Sequence, residues 1–207
     1  MRLLLATRNV GKFRELQALL SGLPLDLASL RDLDITLDIP ELGESLRENA
    51  ILKAQGYVRL SGATTLADDS GLEVEALGGA PGVQSARWAG PHATDRDRIN
   101  LLLERLRGIP PERRGAQFHC VVAIATPDQR LFTTEGVLRG VITDSPRGAH
   151  GFGYDPVFLI PELGKTVAEL SPEVKNRISH RARAVQAARP ILERLISEEK
   201  ERAPRAI

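Results

Sequence analysis

Two adjacent carboxylates, Asp68 and Asp69, close the apolar run "TTLA" and are followed at once by Ser70 and Gly71. Like charges side by side repel, and the cost rises with burial, so the pair needs a compensating charge. A hard divalent cation is one solution. Mg2+ takes carboxylate oxygens at about 2.1 Å and keeps several waters of its own. One carboxylate of the pair is then open to a second task, accepting a proton from an attacking water.

Three other segments carry residues with chemical potential. "ATRNVGK", residues 6–12, passes from an apolar run into a helical pattern. At such a turn the helix N-terminus offers unpaired N–H groups to an anion, and Asn9, Gly11 and Lys12 are placed to bind phosphate oxygens. The spacing is not that of a Walker A loop. In "ELGESLRENAILKA", Asn49 and Lys53 stand four apart and share a helix face, while Glu41 precedes the helix in a loop. In "GAHGFGYDPVF", glycines such as Gly151 and Gly153 surround Phe152 and Tyr154 and leave an aromatic face open to a flat heterocycle. Asp155, Lys175, His180 and Arg181 supply donors and acceptors for the edges of that heterocycle or for phosphate. Taken singly, residues 6–12 read equally well as an ordinary turn, and the other two segments read better as a solvated helix face or, for Phe152, core packing. A D-x-D pair is absent around Asp68, which disfavours an aspartyl-phosphate nucleophile.

The elements that must position these residues follow from periodicity. Residues 2–6 form a short buried strand, and 10–22 a helix with Phe13, Leu16, Leu19 and Leu20 on one face, stopped by Gly22 and Pro24. A second helix spans 44–62, with Ser45 and Glu48 as a capping box and Gly62 closing it. "TTLAD" and "LEVEAL" read as two strands around the acidic pair. Residues 94–108 form an amphipathic helix capped by Thr94, with Asp95 and Asp97 in its first turn. "AQFHCVVAIATP" and "RLFTTEGVLRGVIT" form an antiparallel hairpin, with His119 and Cys120 as core residues. A terminal helix runs from about Ser179 toward Lys200, kinked or broken at Pro190. The class is α/β with a mixed sheet, without internal repeat or linker.

Composition narrows the function. With 207 residues the chain is large enough for a proper core, and a net charge of +1 gives no global attraction to nucleic acid or an anionic membrane. A single cysteine excludes a disulfide framework and fits a reducing compartment. Only four apolar residues follow Arg2 in a row, too few for a signal-peptide core or a membrane span, so a cytoplasmic location is expected. Of 28 basic residues only five are lysines, Lys12, Lys53 and Lys175 among them, a hint that a compact point charge is wanted there.

In combination, "ATRNVGKFRE", "ENAILKA", "ADDSGLEVEALGGAPGVQSARWAG", "FHCV", "GFGYDPVF" and "KNRISHRARA" resemble the inosine triphosphate pyrophosphatase family over nearly the whole chain. Trp88 stands where that family more often has tyrosine. The resemblance implies one nucleoside triphosphate pyrophosphatase domain over residues 1–207, an elongated mixed sheet with flanking helices forming two lobes around a central cleft. It implies hydrolysis of ITP, dITP and XTP to monophosphate and pyrophosphate, with Mg2+, by a homodimer. It further implies Asp69 as general base and metal ligand, Glu41 and Asp68 beside it, and Thr7, Arg8, Asn9, Val10, Gly11, Lys12, Lys53 and Ser70 on the triphosphate side. Phe152, in the run Phe152–Asp155, would stack on the base, and Asp155, Lys175, His180 and Arg181 would line the nucleoside pocket. Two rivals stand against this reading: a Maf-like pyrophosphatase of pyrimidine or modified nucleotides, and a non-catalytic nucleotide sensor or nucleic-acid binder. The acidic cluster argues against a nucleic-acid binder, because carboxylates repel phosphates unless a metal intervenes.

Overall fold

The computed structural model describes residues 1–202. Its first strand, β1 (Arg2–Leu5), buries three consecutive leucines, Leu3, Leu4 and Leu5. That continuous apolar run suits a strand covered on both faces. Helix α1 (Val10–Leu19) follows, capped by the Asn9 side chain, which accepts the Lys12 backbone N–H at 3.0 Å. Strand β2 (Asp26–Ser29) then pairs with β1 in parallel. Helix α2 (Leu46–Ser61) starts at Ser45, whose hydroxyl accepts the Glu48 N–H, and stops at Gly62 in the left-handed region. Glu48 does not close the expected box on Ser45; its carboxylate takes the Glu44 N–H at 2.7 Å.

The acidic pair does not interrupt the chain. Residues Thr64–Val74 form one strand, β3, parallel to β1 with Leu5 opposite Leu66. Two strands, 64–68 and 72–77, were expected; instead one ladder runs to Val74 because the polar side chains find partners, described below. The two-residue β4 (Pro81–Gly82) lies antiparallel against β3, pairing Leu72 with Gly82. It lies so close that a Cβ on Gly71 would stand 2.4 Å from the Gly82 carbonyl oxygen. Only glycine fits there.

Helix α3 (Asp95–Arg105) is capped by Thr94, whose backbone N–H in turn donates to the Asp97 carboxylate and completes the box. Strands β5 (Gly115–Ala125) and β6 (Leu131–Ile142) are sheet neighbours joined by the short turn at Thr126–Arg130, a connection only an antiparallel pair permits. Cys120 is buried as expected, but His119 on the other side of the strand is half-buried beside Glu73, 3.5 Å away. Alternation along β5 separates the two. Strands β7 (Phe158–Ile160) and β8 (Lys165–Thr166) extend the sheet antiparallel, giving the order β2-β1-β3-β5-β6-β7-β8 among the described residues. The sheet is mixed and flanked by helices.

Two helices end the chain, α4 (Pro172–Ile178) and α5 (His180–Arg202). No break occurs at Pro190: α5 runs through it, with Val185 and Ala188 before it and Leu192, Leu195 and Ile196 after it all buried. Packing on both sides outweighs the hydrogen bond that proline removes. The fold divides into two compact units. Among the described residues, one holds Met1–Asp69, Val121–Glu135 and 184–202; the other holds Ser70–Cys120 and Gly136–Arg183. No helix among the described residues is long and apolar enough to cross a membrane.

Candidate active site

In the first unit, four separate segments deliver five charged side chains around two consecutive residues of β3. Asp68 and Asp69 are consecutive in a strand, so their side chains leave opposite faces of the sheet. The α1 side serves the first: Lys12 Nζ lies 3.1 Å from Asp68 Oδ2. The α2 side serves the second. Lys53 Nζ lies 2.8 Å from Glu41 Oε1, 2.6 Å from the Asp68 carbonyl oxygen and 3.3 Å from Asp69 Oδ1. One ammonium thus holds Glu41 and Asp69 across itself. Glu41 reaches Asp69 through Lys53, and the two lysines, expected on the triphosphate side, pair directly with the carboxylates.

Lys53, Asp68 and Asp69 are buried, the two aspartates 1% and 7% exposed, while Lys12 and Glu41 are half-buried. Burial pushes the Asp69 carboxyl above the usual carboxylate range; Lys53 and Lys12 oppose the shift, and Glu41 and Asp68 add to it. Burial also works against the Lys53 ammonium, but attraction from Asp69, Asp68 and Glu41 outweighs it, and this pKa is raised as well. The two shifts differ in cause: burial raises Asp69, whereas the neighbouring carboxylates raise Lys53. Three carboxylates stand with two ammonium groups, a surplus of negative charge that favours a further positive charge, whether proton or metal. Asp69 Oδ2 is buried and accepts no hydrogen bond among the described residues.

The loop that carries Glu41 is pinned at both ends. The Arg8 guanidinium pairs with Asp38 and donates to the carbonyls of Ile35, Thr36 and Leu37 at 3.2, 2.8 and 3.2 Å. At the other end the buried Asn49 side chain accepts the Gly43 N–H at 2.8 Å. Arg8, expected on the triphosphate side, is therefore turned toward the 35–38 segment, and Asn49 supports the loop. Asn9 serves as the α1 cap, and Thr7 Oγ1 accepts its backbone N–H at 3.2 Å. Val10 and Gly11 occupy the first turn of α1, where backbone N–H groups have no earlier carbonyl to bond.

The second unit gathers the residues expected around a base. Phe152 lies between Gly151 and Gly153, which have φ of +78° and +63°. Its N–H donates to Asp155 Oδ2 at 3.0 Å, and the same oxygen takes the Lys175 ammonium at 2.5 Å. Lys175 Nζ also stands 4.6 Å from the centre of the Phe152 ring, and the Arg181 guanidinium carbon 5.7 Å from it. Arg181 is 1% exposed and donates to Ser70 Oγ at 3.2 Å. It links the residue after the acidic pair to the aromatic ring. The buried His180 ring stacks on Phe118, centroids 4.8 Å apart, and Phe118 stacks on Phe158. Tyr154 is buried with its hydroxyl on the Ser85 carbonyl at 3.0 Å; burial pushes its phenol up to about 12.

Residues 3–191 match the model of the Ham1 family. The chain belongs to the Ham1 family. A dITP/XTP pyrophosphatase of Geobacter sulfurreducens is 49% identical over 184 residues, 89% of this chain and 92% of the relative. A protein of the same name from Geobacillus kaustophilus is 49% identical over 183 residues, 88% of this chain and 90% of its own. Among solved structures, a HAM1 protein from Coxiella burnetii superposes with a TM-score of 0.85 at 41% identity, covering 94% of this chain and 99% of that one. The resemblance drawn from the motifs thus holds, and every quoted motif lies within the matched span.

Two features of this Ham1 chain escaped the sequence reading. Ser85 Oγ accepts the Leu72 N–H at 2.8 Å and donates to the Gly82 carbonyl at 2.6 Å, fastening β3 just beyond Ser70. Asp95, read only as a helix-start acid, receives the Gly153 N–H at 2.7 Å. Neither had a signal in the sequence beyond a polar side chain near a motif, since both contacts join distant segments. Trp88 packs against the apolar core of this unit.

Proposed function

We propose that this Ham1 chain hydrolyses non-standard purine nucleoside triphosphates (ITP, dITP and XTP) to the monophosphate and pyrophosphate. It works with Mg2+ as a cytoplasmic homodimer in which residues 1–207 act as one pyrophosphatase domain. The names of its relatives support the activity and substrate class. The single observation that carries the chemistry is the Lys53 ammonium held by Glu41, the Asp68 carbonyl and Asp69 beside the buried, unbonded Asp69 Oδ2.

The donor set suits Mg2+. It consists of hard carboxylate oxygens, carries surplus negative charge and includes one buried oxygen that lacks a donor. No three His, Cys, Asp or Glu side chains among the described residues form a ready cage. Mg2+ is commonly held by one or two carboxylates plus substrate phosphates, so Asp69, with Asp68 and Glu41 at hand, is enough on the protein side. When bound, the cation neutralises phosphate charge and polarises water.

The chain's own residues do the rest. Lys12 and Lys53, with the N–H groups at the start of α1, hold the polyphosphate and counter the charge that builds on the leaving pyrophosphate. Asp69, pushed above the usual range, orients the attacking water through Oδ2 and accepts its proton. Phe152 stacks on the base, and Lys175, Asp155, His180 and Arg181 frame the nucleoside. Arg181 donors favour the 6-oxo group of hypoxanthine and xanthine and leave adenine's amino group donor against donor.

The test is a nucleotide panel assayed for pyrophosphate and orthophosphate. ITP, dITP and XTP should be turned over orders of magnitude faster than ATP, with pyrophosphate as product. EDTA should stop the reaction and added Mg2+ restore it. Orthophosphate as the product, or equal kcat/KM for ATP, refutes the reading.

A further inference from the structure

We propose that Asp95 is a positioning residue that fixes Phe152 against the substrate base; the inference rests on the nucleotide reading above. Asp95 opens α3, yet it does not cap that helix. Thr94 and Asp97 already complete the capping box. The Asp95 carboxylate splits its two oxygens between other tasks. Oδ2 accepts the backbone N–H of Gly153 at 2.7 Å, from a loop 58 residues away in the chain. Oδ1 pairs with Arg98, which also donates to the Ala86 and Ala93 carbonyls at 3.0 and 2.6 Å.

The loop needs such an anchor. Gly151 and Gly153 both sit in the left-handed region, and a Cβ at Gly153 would meet nothing within 4 Å. Here glycine serves the backbone and contributes no packing. Hydrogen bonds therefore set the shape of this turn. The Phe152 N–H goes to Asp155 Oδ2, which Lys175 of α4 holds from the other side. Two bonds tie the loop to the segment before and at the start of α3: Tyr154 to the Ser85 carbonyl, and Gly153 to Asp95. Of these, only the Asp95 bond acts on the residue adjoining Phe152. It fixes the peptide that follows Phe152, and with it the direction of the ring.

A purely structural Asp95 would act through its charge, on Arg98 and on the helix dipole. Two substitutions separate the roles. Asp95→Asn keeps an acceptor oxygen for the Gly153 N–H and loses the charge; Asp95→Ala loses both. Asp95→Ala should raise KM for ITP at least ~10-fold, with kcat within about threefold of wild type, and reduce the preference for ITP over ATP. Asp95→Asn should recover KM to within about threefold while its thermal midpoint stays lowered. Asp95→Asn matching Asp95→Ala in KM, or an unchanged KM in Asp95→Ala, overturns the proposal. Should Asp95→Ala not fold, amide exchange followed by NMR decides. The Gly153 amide should be protected in wild type and in Asp95→Asn, and exchange at the free-peptide rate in either overturns it. If wild type turns over no ITP, the nucleotide reading has failed, and Gly153 protection still reports separately on the Asp95 contact.

Discussion

At the scale of single residues, Asp69 combines a stability cost with the catalytic role proposed for it. Its pKa is raised in the fold by burial, with Lys53 and Lys12 opposing and Glu41 and Asp68 adding. A raised carboxyl means that the ionised form destabilises the native state above the unfolded pKa, and that this penalty vanishes as falling pH protonates it. Asp69→Asn should therefore raise Tm near neutral pH by a few degrees, at about 2–4 °C per kcal/mol for a chain of this size. The gain should shrink as pH falls through the raised pKa toward the ordinary carboxylate value. The same substitution should cut turnover at least ~100-fold while equilibrium binding of ITP persists. Melting curves across pH and single-turnover assays check both halves; a lowered Tm at pH 7, or turnover within a few-fold of wild type, contradicts them. Lys53 behaves oppositely. Its raised pKa adds stability that is present below its unfolded pKa and lost as pH rises through the folded value. Lys53→Met leaves Glu41 and Asp69 without their shared counter-charge and should cost about 3–5 kcal/mol in denaturant unfolding.

At the scale of elements, β3 is where sequence and structure part most clearly. "ADDSG" is polar and carries a glycine, the usual signature of a turn, yet the strand continues through it. Each polar group is met from another element: Asp68 by Lys12, Asp69 by Lys53, and Ser70 by Arg181. Gly71 serves close approach, with the Gly82 carbonyl where a Cβ would go. Backbone lies on both sides of that contact and neither can yield cheaply. Gly71→Ala should cost about 1–3 kcal/mol, as overpacking does, and reduce activity by displacing the adjoining Ser70 and Asp69. Urea midpoints with steady-state assays test this; wild-type stability in Gly71→Ala would show that β4 can withdraw. The loop bearing Glu41 depends likewise on Arg8 and Asn49, whose roles come from where the chain returns.

At the scale of the whole molecule, the backbone passes between the two compact units after Asp69, Cys120, Glu135 and Arg183. The first three crossings fall inside β3, β5 and β6. Unfolding either unit alone would require those strands to break their ladders partway along. The chain should therefore melt in one cooperative transition, with calorimetric and van't Hoff enthalpies in agreement. Two resolved transitions in scanning calorimetry would show the units to be independent.

What the sequence by itself determined is whatever depends on neighbours along the chain. The Asn9 turn into α1, the Ser45 and Thr94 caps, the Gly62 stop and the β5–β6 turn were all legible, because caps and turns act over a few residues. The motif set also carried the family, which the match over residues 3–191 bears out. Tertiary structure decided what depends on residues meeting from afar. It turned a polar interruption into a continuous strand, carried α5 through Pro190, sent Arg8 to a loop and gave Asp95 to Gly153. The reason is physical: a buried charge or an unpaired N–H is stabilised by whichever group the fold brings within about 3 Å, and no spacing along one chain encodes that partner alone.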